Sequence, residues 1–515
     1  MTARLARVRA DSYIDSVRLM SATRTMGQRD GVEWAAAVMG TPANVEILSG
    51  RGFGDETLRK ATANDLVFAV IADDDDEATA ALDQGESAVD AASSQAADAA
   101  GAATRPLSLE EATEALPGAN VAIVSVPGEF AALETQKAIT AGMHVLLFSD
   151  NVPLEDEIAL KRRAAELGLL VMGPGAGTAA IGGVGLGFAN AVRRGTVGVV
   201  AAAGTGAQEV MSLVDRWGGG ITDVIGVGGR DLSAPVGGVM ADLALRSVTA
   251  DTRAEVVVLV SKPPAPEVAE ALFGRLGTKP VVAAMIGMED EGLARPGLRV
   301  ARTLDEAAAD AVELAGSPRP DPGEGLSEAV APTIDRVPPR RTAVRGLFTG
   351  GTLCYEALVV LSSRLGPVYS NTPLREGWGL PAPDGAHICL DMGEEEYTRG
   401  RPHPMIDPEA RIEEIRRAGA DPDTAVVLLD VVLGYGAHPD PAAVLSLPCE
   451  EVARRRDGAA VVAYVLGTDS DLQDVRRQRA QLADAGCLVA PTAARAALMA
   501  AAISARRPDL AEETP

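Results

Sequence analysis

Short apolar runs alternate with longer amphipathic stretches over much of this chain. The alternation is most regular after Asn120, where the apolar runs are "NVAIVSVPG", "HVLLFSD" and "LLVMGPG", and the stretches between them are "EFAALETQKAITAG" and "LEDEIALKRRAAELG". This pattern predicts parallel β-strands joined by helices. Ligands of such sheets bind at the carboxyl ends of the strands, and Asn151 lies at one of these ends. We therefore include Asn151 among the candidate substrate contacts.

Two further α/β domains are predicted, one after Thr196 and one after Thr342. The apolar runs of the earlier domain are "TVGVVAAA", "ITDVIGVGGRD", "AEVVVLVSKPP" and "KPVVAAMIG", and those of the later one include "AVRGLFTG", "HICLDMG" and "AVVLLDVVLG". A stretch rich in proline and glycine between them predicts a linker. The predicted boundaries are 106–192 for the first α/β domain, 193–316 for the second, 317–341 for the linker, 342–505 for the third and 506–515 for a tail.

Residues 1–105 predict a separate, small α/β module followed by an Ala-rich linker. The runs "RLARVRA" and "DLVFAVIA" have the character of strands, and "SYIDSVRLMSATRTM" that of an amphipathic helix, which suits a ferredoxin-like arrangement. The segment that begins with Asp73–Asp76 is acidic, rich in alanine and poor in large apolar residues. It predicts a solvated helix that fades into a linker, with a charged helix start rather than a metal site.

Composition excludes several classes of function. The chain has 515 residues and a formal net charge of −25, so a surface that neutralises nucleic-acid phosphates is not expected. Its cysteines are far apart and form no Cys-x-x-Cys pair, which argues against a disulfide framework and a zinc site. No apolar run has the length of a membrane span, and the N-terminus lacks a signal-peptide pattern. These features predict a cytoplasmic protein without a metal site, a nucleic-acid partner or a membrane anchor.

Two stretches of the chain repeat the same strand, turn and helix pattern. "TVGVVAAAGTGAQEV" and "RGLFTGGTLCYEA" align when Gly204-Thr205 is set on Gly351-Thr352, and each places a glutamate four residues after the threonine, Glu209 and Glu356. The first helical N–H groups lack partners within the helix and carry a partial positive charge. Glycine lets an anion approach this backbone, and threonine adds a hydroxyl donor.

We call Gly204-Thr205-Gly206 and Gly350-Gly351-Thr352 the two Gly-Thr turns, and we predict that they bind one phosphate-like anion between them. The alternative for each is an ordinary strand-to-helix turn in which threonine is only a helix cap. For a single copy this alternative would be preferred. Two copies in domains of the same build favour the anion site.

The remaining candidates for substrate contacts are weaker. Arg230 could pair with a carboxylate or phosphate, or could form a surface turn with Asp231. His403, in a proline-bounded loop with Arg401, and His438, after a strand, could each contact a ligand or stabilise a loop. Glycines 182–187 predict a turn and hairpin rather than a nucleotide site. No Ser–His–Asp arrangement is apparent, and the catalytic residues stay unknown.

Several longer motifs resemble the FdrA family. They are "MGTPANVEIL", "FSDNVPLEDEIALKRRAAELGLLVMGP", "GVGGRDLS", "LVSKPPA", "LFTGGTLCYEA", "GRPHPMIDPEAR" and "LLDVVLGYGAHPDPA". This family is in turn similar to succinyl-CoA synthetase: residues 120–315 resemble its α subunit and residues 342–502 the carboxy-terminal domain of its β subunit. The resemblance implies a Rossmann-like CoA-binding-type domain followed by two flavodoxin-like domains. It also implies that two helix N-termini share one phosphate.

The family resemblance implies a subunit of oxamate carbamoyltransferase, which converts oxalurate and phosphate into oxamate and carbamoyl phosphate. It implies separate transferase partner subunits, a carbamate kinase and a small anionic substrate. The second domain has no histidine to carry a phosphoryl group, and neither the Gly-rich CoA loop nor an ATP-grasp domain is visible. The alternatives are an acyl-CoA synthetase-like protein that uses CoA, and a non-catalytic scaffold or ligand-binding subunit of a homo- or hetero-oligomer.

Overall fold

The structure is a computed structural model that describes residues 2–12, 14, 16–54, 56–99, 106–288, 295–398 and 402–514. The chain divides into two compact bodies, residues 1–112 with 399–402 and residues 113–398 with 403–515. We call them the N-terminal module and the main body, and describe each by itself.

The N-terminal module is an antiparallel sheet with strand order β1-β3-β2. All seven side chains of β3 are buried, because its alternate residues meet separate apolar clusters on the two faces of the sheet. The elements are β1 (Ala3–Arg9), α1 (Ser16–Gly27), β2 (Val32–Met39), α2 (Pro42–Gly50), α3 (Glu56–Arg59), β3 (Leu66–Ala72) and α4 (Asp75–Ala99).

Two predictions for this module need correction. The sequence does not predict strand β2, because the three alanines, the glutamate and the methionine of "VEWAAAVM" favour helix. Helix α4 was expected to be solvated, yet Ala78, Ala81 and Leu82 are buried in the core of the module. Small alanines allow this helix to lie close to the sheet, and its Asp83 and Glu86 pair with Arg7 of strand β1.

The first α/β domain is smaller than predicted. Its parallel sheet has the order β4-β5-β6, and the following hairpin of β7 and β8 belongs to the next sheet, where β7 pairs antiparallel with β10. This hairpin is the one predicted for residues 182–187. Because it belongs to the next sheet, the first α/β domain ends before the predicted boundary at residue 192. The elements are α5 (Leu109–Ala115), β4 (Val121–Val124), α6 (Gly128–Thr140), β5 (His144–Leu147), α7 (Leu154–Glu166), β6 (Val171–Met172), β7 (Thr178–Ile181) and β8 (Val184–Gly187).

The second α/β domain has the sheet order β13-β12-β11-β9-β10-β7-β8. Its parallel strands follow the flavodoxin-like order 2-1-3-4-5, which confirms the predicted fold class. Apolar side chains fill β9 and β11, because helices cover both faces of a parallel sheet. The elements are β9 (Arg194–Ala201), α8 (Gly204–Arg216), β10 (Ile221–Gly226), α9 (Val239–Ala250), β11 (Val256–Ser261), α10 (Pro266–Phe273), β12 (Val281–Met285), β13 (Leu298–Ala301) and α11 (Leu304–Leu314).

The third α/β domain repeats this order in the sheet β15-β16-β14-β17-β18-β19, with β15 added at one edge. The elements are β14 (Ala343–Phe348), α13 (Gly351–Leu365), β15 (Val368–Tyr369), β16 (His387–Asp391), α14 (Glu395–Thr398), α15 (Glu409–Ala420), β17 (Thr424–Val432), α16 (Pro441–Ala453), β18 (Ala460–Leu466), α17 (Val475–Asp484), β19 (Leu488–Ala490) and α18 (Ala493–Ala505).

The predicted linker and tail are both structured. Residues 317–341 contain helix α12 (Leu326–Arg336), whose Val330 and Ile334 are buried in the same core cluster as α13 and α18. The tail contains a 3-10 helix (Pro508–Ala511), and the hydroxyl of Ser327 donates to the carbonyl of Pro508. Residues 317–341, although rich in proline and glycine, therefore form a helix between short loops rather than an unstructured linker.

Candidate functional site

The two Gly-Thr turns meet in the main body. The backbone N–H of Thr352 donates to the hydroxyl oxygen of Thr205 at 3.3 Å, across 147 positions of sequence. A Cβ atom on Gly350 would lie 2.8–3.0 Å from side-chain atoms of Thr205, and one on Gly206 would lie 2.9 Å from Cγ2 of Thr352. Glycine is therefore needed at Gly350 and Gly206 for the two turns to approach each other.

Each turn lies where a ligand of a doubly wound sheet is expected. Helices α8 and α13 follow the first strand of their domains, β9 and β14, at the carboxyl edge where the strand order reverses. In the described part of the chain neither helix is capped by the side chain of its own N-cap residue, and Gly204 is exposed while Thr205 and Gly351 are half-buried. The first N–H groups of two helices are thus directed toward one partly open place.

The acidic side chain of Asp391 lies beside the second turn. Asp391 ends strand β16 and is only 3% exposed. Its Oδ1 accepts from the N–H of Gly393 at 3.0 Å, and its Oδ2 is 2.6 Å from where a Cβ on Gly351 would stand. Burial, and to a smaller extent the charge of Glu394, raise the pKa of Asp391 to about 7 against the opposing charge of Lys262.

A second carboxylate, that of Asp430, fixes the backbone at the start of the Gly350-Gly351-Thr352 turn. It accepts from the N–H groups of Thr349 and Gly350 at 2.8 and 2.9 Å, and Arg411 lies 3.3 Å away. Burial raises the pKa of Asp430, while the Arg411 charge and these hydrogen bonds lower it. The N–H of Gly350 is therefore used within the protein and is not available to a ligand.

Lys262 brings a positive charge to the same edge from the second domain. It follows strand β11, and its ammonium group is 5.3 Å from the ring centroid of Tyr355 on helix α13. Among the described residues, no carboxylate forms an ion pair with it, although its charge lowers the pKa of Asp391 and Cys354. This lysine and Asp391 were not predicted as site residues, although both stand at strand ends, in "LVSKPPA" and "HICLDMG".

His403 also reaches this place. Its Nδ1 accepts from the N–H of Met405 at 3.2 Å. Its Nε2 and Oδ1 of Asp391 lie 2.8 and 3.2 Å from where a Cβ on Gly393 would stand. Burial lowers the pKa of His403 to about 4, so the ring is neutral near pH 7 and Nε2 carries its proton. His403 is thus a neutral donor near Asp391, whereas Arg401 lies outside the described residues.

His438 and Asn151 have local partners. Nδ1 of the buried His438 accepts from the N–H of Asp440 at 3.0 Å, and the His438 N–H donates to the carbonyl of Met405. This favours the loop-stabilising alternative for His438. Asn151 is exposed at φ 57°, in the left-handed region, and its N–H donates to Asp150. A ligand contact by Asn151 stays a prediction.

Arg230 and Asp231 connect the first two α/β domains. Arg230 donates to the carbonyl of Val152 and pairs with Glu157 at 2.8 Å. The fully buried Asp231 pairs with the equally buried Lys161 at 2.8 Å, and it also accepts from the N–H groups that begin helix α9. The surface-turn alternative is therefore wrong for Asp231. Its carboxylate is occupied within the protein, so Asp231 is a structural residue rather than a substrate contact.

Glu209 and Glu356, the two glutamates of the sequence repeat, each accept hydrogen bonds across the interface between the second and third domains. The N–H of Leu304, at the start of α11, donates to Glu356 at 2.7 Å. The N–H of Ala493, at the start of α18, donates to Glu209 at 3.3 Å, and the hydroxyl of Tyr464 donates to Glu209 at 2.5 Å. Each glutamate thus caps a helix of the other domain, which fixes the relative position of α8 and α13.

Burial changes the protonation of both glutamates. It raises the pKa of Glu209 to about 7, against the lowering effect of the Tyr464 hydrogen bond, and it raises the pKa of Glu356 well above its usual range. Oε2 of Glu356 is buried without a hydrogen-bond partner in the described structure, as suits a protonated carboxyl group.

Comparison with known proteins agrees with the fold. The CoA-ligase family matches residues 347–503, and the family described as "AllF, heavy metal-associated domain" matches residues 1–106. YahF of Escherichia coli strain K12 is 37% identical over 507 residues, which are 96% of this chain and 97% of YahF. The match of residues 347–503 gives the class of the third α/β domain, which is of CoA-ligase type. The chain belongs to the family that contains YahF.

Other relatives match only part of the chain. The ADP-forming sulfoacetate-CoA ligase subunit SauD of Bilophila wadsworthia is 31% identical over 33% of this chain and 60% of its own length. Subunit alpha 2 of an ADP-forming succinate–CoA ligase of Archaeoglobus fulgidus is 30% identical over 35% of this chain and 62% of its own length. A solved acetyl-coenzyme A synthetase of Ca. Korarchaeum cryptofilum covers 77% of this chain and 85% of its own at 16% identity, with a TM-score of 0.31.

The residues of the N-terminal module do not fit the heavy metal in the name of its family. Residues 1–106 contain neither a cysteine thiolate nor a histidine imidazole, so methionine is the only soft ligand type in the segment. Among the described residues, no group of three or more His, Cys, Asp or Glu could hold a metal ion. Where the structure describes the chain, no helix is both long and apolar enough to cross a bilayer.

Proposed function

We propose that this protein is an acyl-transfer subunit of CoA-ligase type that binds the phosphate part of an acyl phosphate at the two Gly-Thr turns. The observation that carries the proposal is the meeting of two helix N-termini, neither capped by its own N-cap side chain and both joined by the hydrogen bond from Thr352 to Thr205. Two helix ends directed at one place suit a multiply charged oxyanion. The matches to CoA ligases favour this reading over the carbamoyltransferase reading.

The proposed reaction needs no phosphohistidine. The sulfur of a thiol such as CoA attacks the acyl carbon, a C–S bond forms, and the bond from this carbon to the phosphate oxygen breaks. Phosphate leaves with the electron pair, and the thiol proton goes to solvent or to phosphate. The helix N–H groups and Lys262 stabilise the charge on the leaving phosphate. Because the second domain contains no histidine, direct transfer is the simpler route.

Partner subunits complete the proposed enzyme. Named relatives of this chain are themselves subunits of CoA ligases. No ATP-grasp segment is visible in the sequence, so we propose that a separate subunit supplies nucleotide chemistry within a homo- or hetero-oligomer. The four cysteines are free and buried, which suits the proposed location in a reducing cytoplasm.

Carbamoyl transfer is the second candidate. The match of residues 1–106 to a domain named after AllF favours it, as does the resemblance to the FdrA family. Carbamoyl phosphate is itself an acyl phosphate, so the same turns would hold its phosphate, and carbamate kinase would be a functional neighbour. In this reading phosphate attacks the carbamoyl carbon of oxalurate and oxamate leaves.

One set of assays separates these candidates. The pure chain, alone and with the products of neighbouring genes, is incubated with acyl phosphates and CoA, and in parallel with oxalurate and phosphate. Thioester formation supports the CoA-ligase reading, and phosphate-dependent loss of oxalurate supports carbamoyl transfer. Binding of phosphate without turnover in any combination would contradict both and indicate a ligand-binding subunit.

Removing the threonine hydroxyls is expected to weaken phosphate binding in a non-additive way. We expect Thr205→Ala and Thr352→Ala each to raise the Kd for inorganic phosphate about three- to tenfold, as one charge-assisted hydrogen bond is lost. Because the two residues contact each other, the double variant should lose less than the product of the single effects. Titration calorimetry measures all four proteins, and strictly additive free energies would contradict a shared ion.

A further inference from the structure

We propose that Asp391 binds the oxyanion at the two Gly-Thr turns as a carboxylic acid, so that anion binding is coupled to the uptake of one proton. This inference rests on the proposed function, because it concerns the same anion. It adds an acidic side chain as a ligand contact in a place where an ionised carboxylate would repel the ligand.

The position of one oxygen atom supports a ligand contact. Oδ1 of Asp391 accepts from Gly393, and the backbone of Asp391 is paired with Asn371. Oδ2 makes no hydrogen bond to the described residues, and it is not among their fully buried oxygens, so a ligand can reach it although the residue as a whole is only 3% exposed. This oxygen lies 2.6 Å from the position of a Cβ on Gly351, directly at the first turn of helix α13.

The charges around Asp391 explain why its proton matters. Glu394 and Asp430 are acidic, Lys262 is positive, and the neutral ring of His403 adds no charge. Asp430 is balanced by Arg411 and by backbone N–H groups. An ionised Asp391 would therefore add an uncompensated negative charge next to the incoming anion. In the acid form its O–H group donates to the anion, as Nε2–H of His403 and the helix N–H groups also can.

The titration of Asp391 falls in a range where the coupling can be measured. Its pKa is raised to about 7, so the carboxyl group is mostly ionised at pH 8.5 and mostly protonated at pH 6. An anion that binds the acid form raises this pKa further and takes up a proton above pH 7. Glu209 on helix α8 also titrates near pH 7, but its carboxyl group bonds to Tyr464 and Ala493. A variant of Asp391 is therefore needed to separate the titration of Asp391 from that of Glu209.

Titration calorimetry with inorganic sulfate tests the proposal, because sulfate keeps its charge between pH 6 and pH 9 whereas phosphate does not. Heats measured in buffers of different ionisation enthalpy give the number of protons taken up. For the natural protein we expect uptake approaching one proton at pH 8.5 and a Kd that rises about tenfold per pH unit above 7. Asp391→Asn should bind sulfate with little pH dependence and more tightly than the natural protein at pH 8.5.

The outcomes separate this inference from the proposed function. Asp384→Asn, at an exposed aspartate, is the matched control and should keep the pH dependence. Sulfate binding at the turns with no proton uptake would overturn the role of Asp391 and leave the anion site intact. If Asp391→Asn retains the full pH dependence of sulfate binding, the role of Asp391 is likewise overturned, and Glu209 would be the titrating group. If the natural protein binds neither sulfate nor phosphate, the anion site itself is wrong.

Discussion

Gly351→Val is expected to abolish anion binding at the two Gly-Thr turns. A Cβ atom at this position would stand 2.6 Å from Oδ2 of Asp391, and the buried carboxyl group has little room to move away. The two methyl groups of valine would in addition cover the first N–H groups of helix α13. Loss of two charge-assisted hydrogen bonds corresponds to roughly 3 kcal/mol, so we expect the Kd for phosphate to rise about 100-fold or more.

Titration calorimetry with inorganic phosphate measures this loss, and thermal unfolding shows whether the variant is folded. Gly379→Val is the matched control, because no atom lies within 4 Å of a Cβ built on Gly379 and its backbone is not in the left-handed region. Gly351→Ala provides a smaller change if the valine variant does not fold. A folded Gly351→Val protein that binds phosphate as tightly as the natural protein would exclude the turn from the site.

The second large effect is expected on stability. Glu356→Ala should lower the free energy of unfolding by about 3 kcal/mol, because the N–H of Leu304 loses its acceptor in a buried interface and the removed side chain leaves a cavity. The double variant with Glu356→Ala and Glu209→Ala should lose about 5 kcal/mol of unfolding free energy in total. Denaturant unfolding, followed by circular dichroism, gives these values. Glu356→Gln is the control, since an amide keeps the acceptor oxygen and should cost less than 1 kcal/mol.

The same interface predicts a pH dependence of stability. The folded-state pKa of Glu209 is about 7, above the value of 4.5 expected in the unfolded chain. The folded protein therefore holds an extra proton between these values, and its stability falls as pH rises through this window, by at most about 3 kcal/mol. Glu209→Gln should remove this part of the pH dependence. An unchanged dependence in this variant would show that Glu209 is not the titrating group.

Much of the architecture follows from local sequence patterns. Buried parallel strands are continuous apolar runs, and the helices between them have amphipathic periodicity, so the α/β domains and their order could be predicted. The repeat that contains Gly204-Thr205 and Gly351-Thr352 was also visible, because glycine and threonine at the end of a strand have a defined backbone role. These features depend on residues that are close together in the chain.

The errors arose where composition was used in place of packing. The alanine content of α4 predicts a solvated helix, yet small side chains such as Ala78 and Ala81 suit close contact with a sheet. The linker prediction overlooked helix α12 because prolines and glycines surround it. Hairpin β7–β8 lies next to the first α/β domain in sequence but pairs with β10, and only tertiary pairing shows this exchange.

The candidate site itself is a product of tertiary structure. The sequence repeat identifies the two Gly-Thr turns, but their contact joins residues 147 positions apart and depends on the packing of two domains. Asp391, Lys262 and His403 come from separate strands and loops, and nothing local relates them. The carboxyl edges of two sheets bring them together, and burial then changes the proton affinity of Asp391. Local pattern thus determined which backbone could bind an anion, whereas domain packing decided which charges surround it.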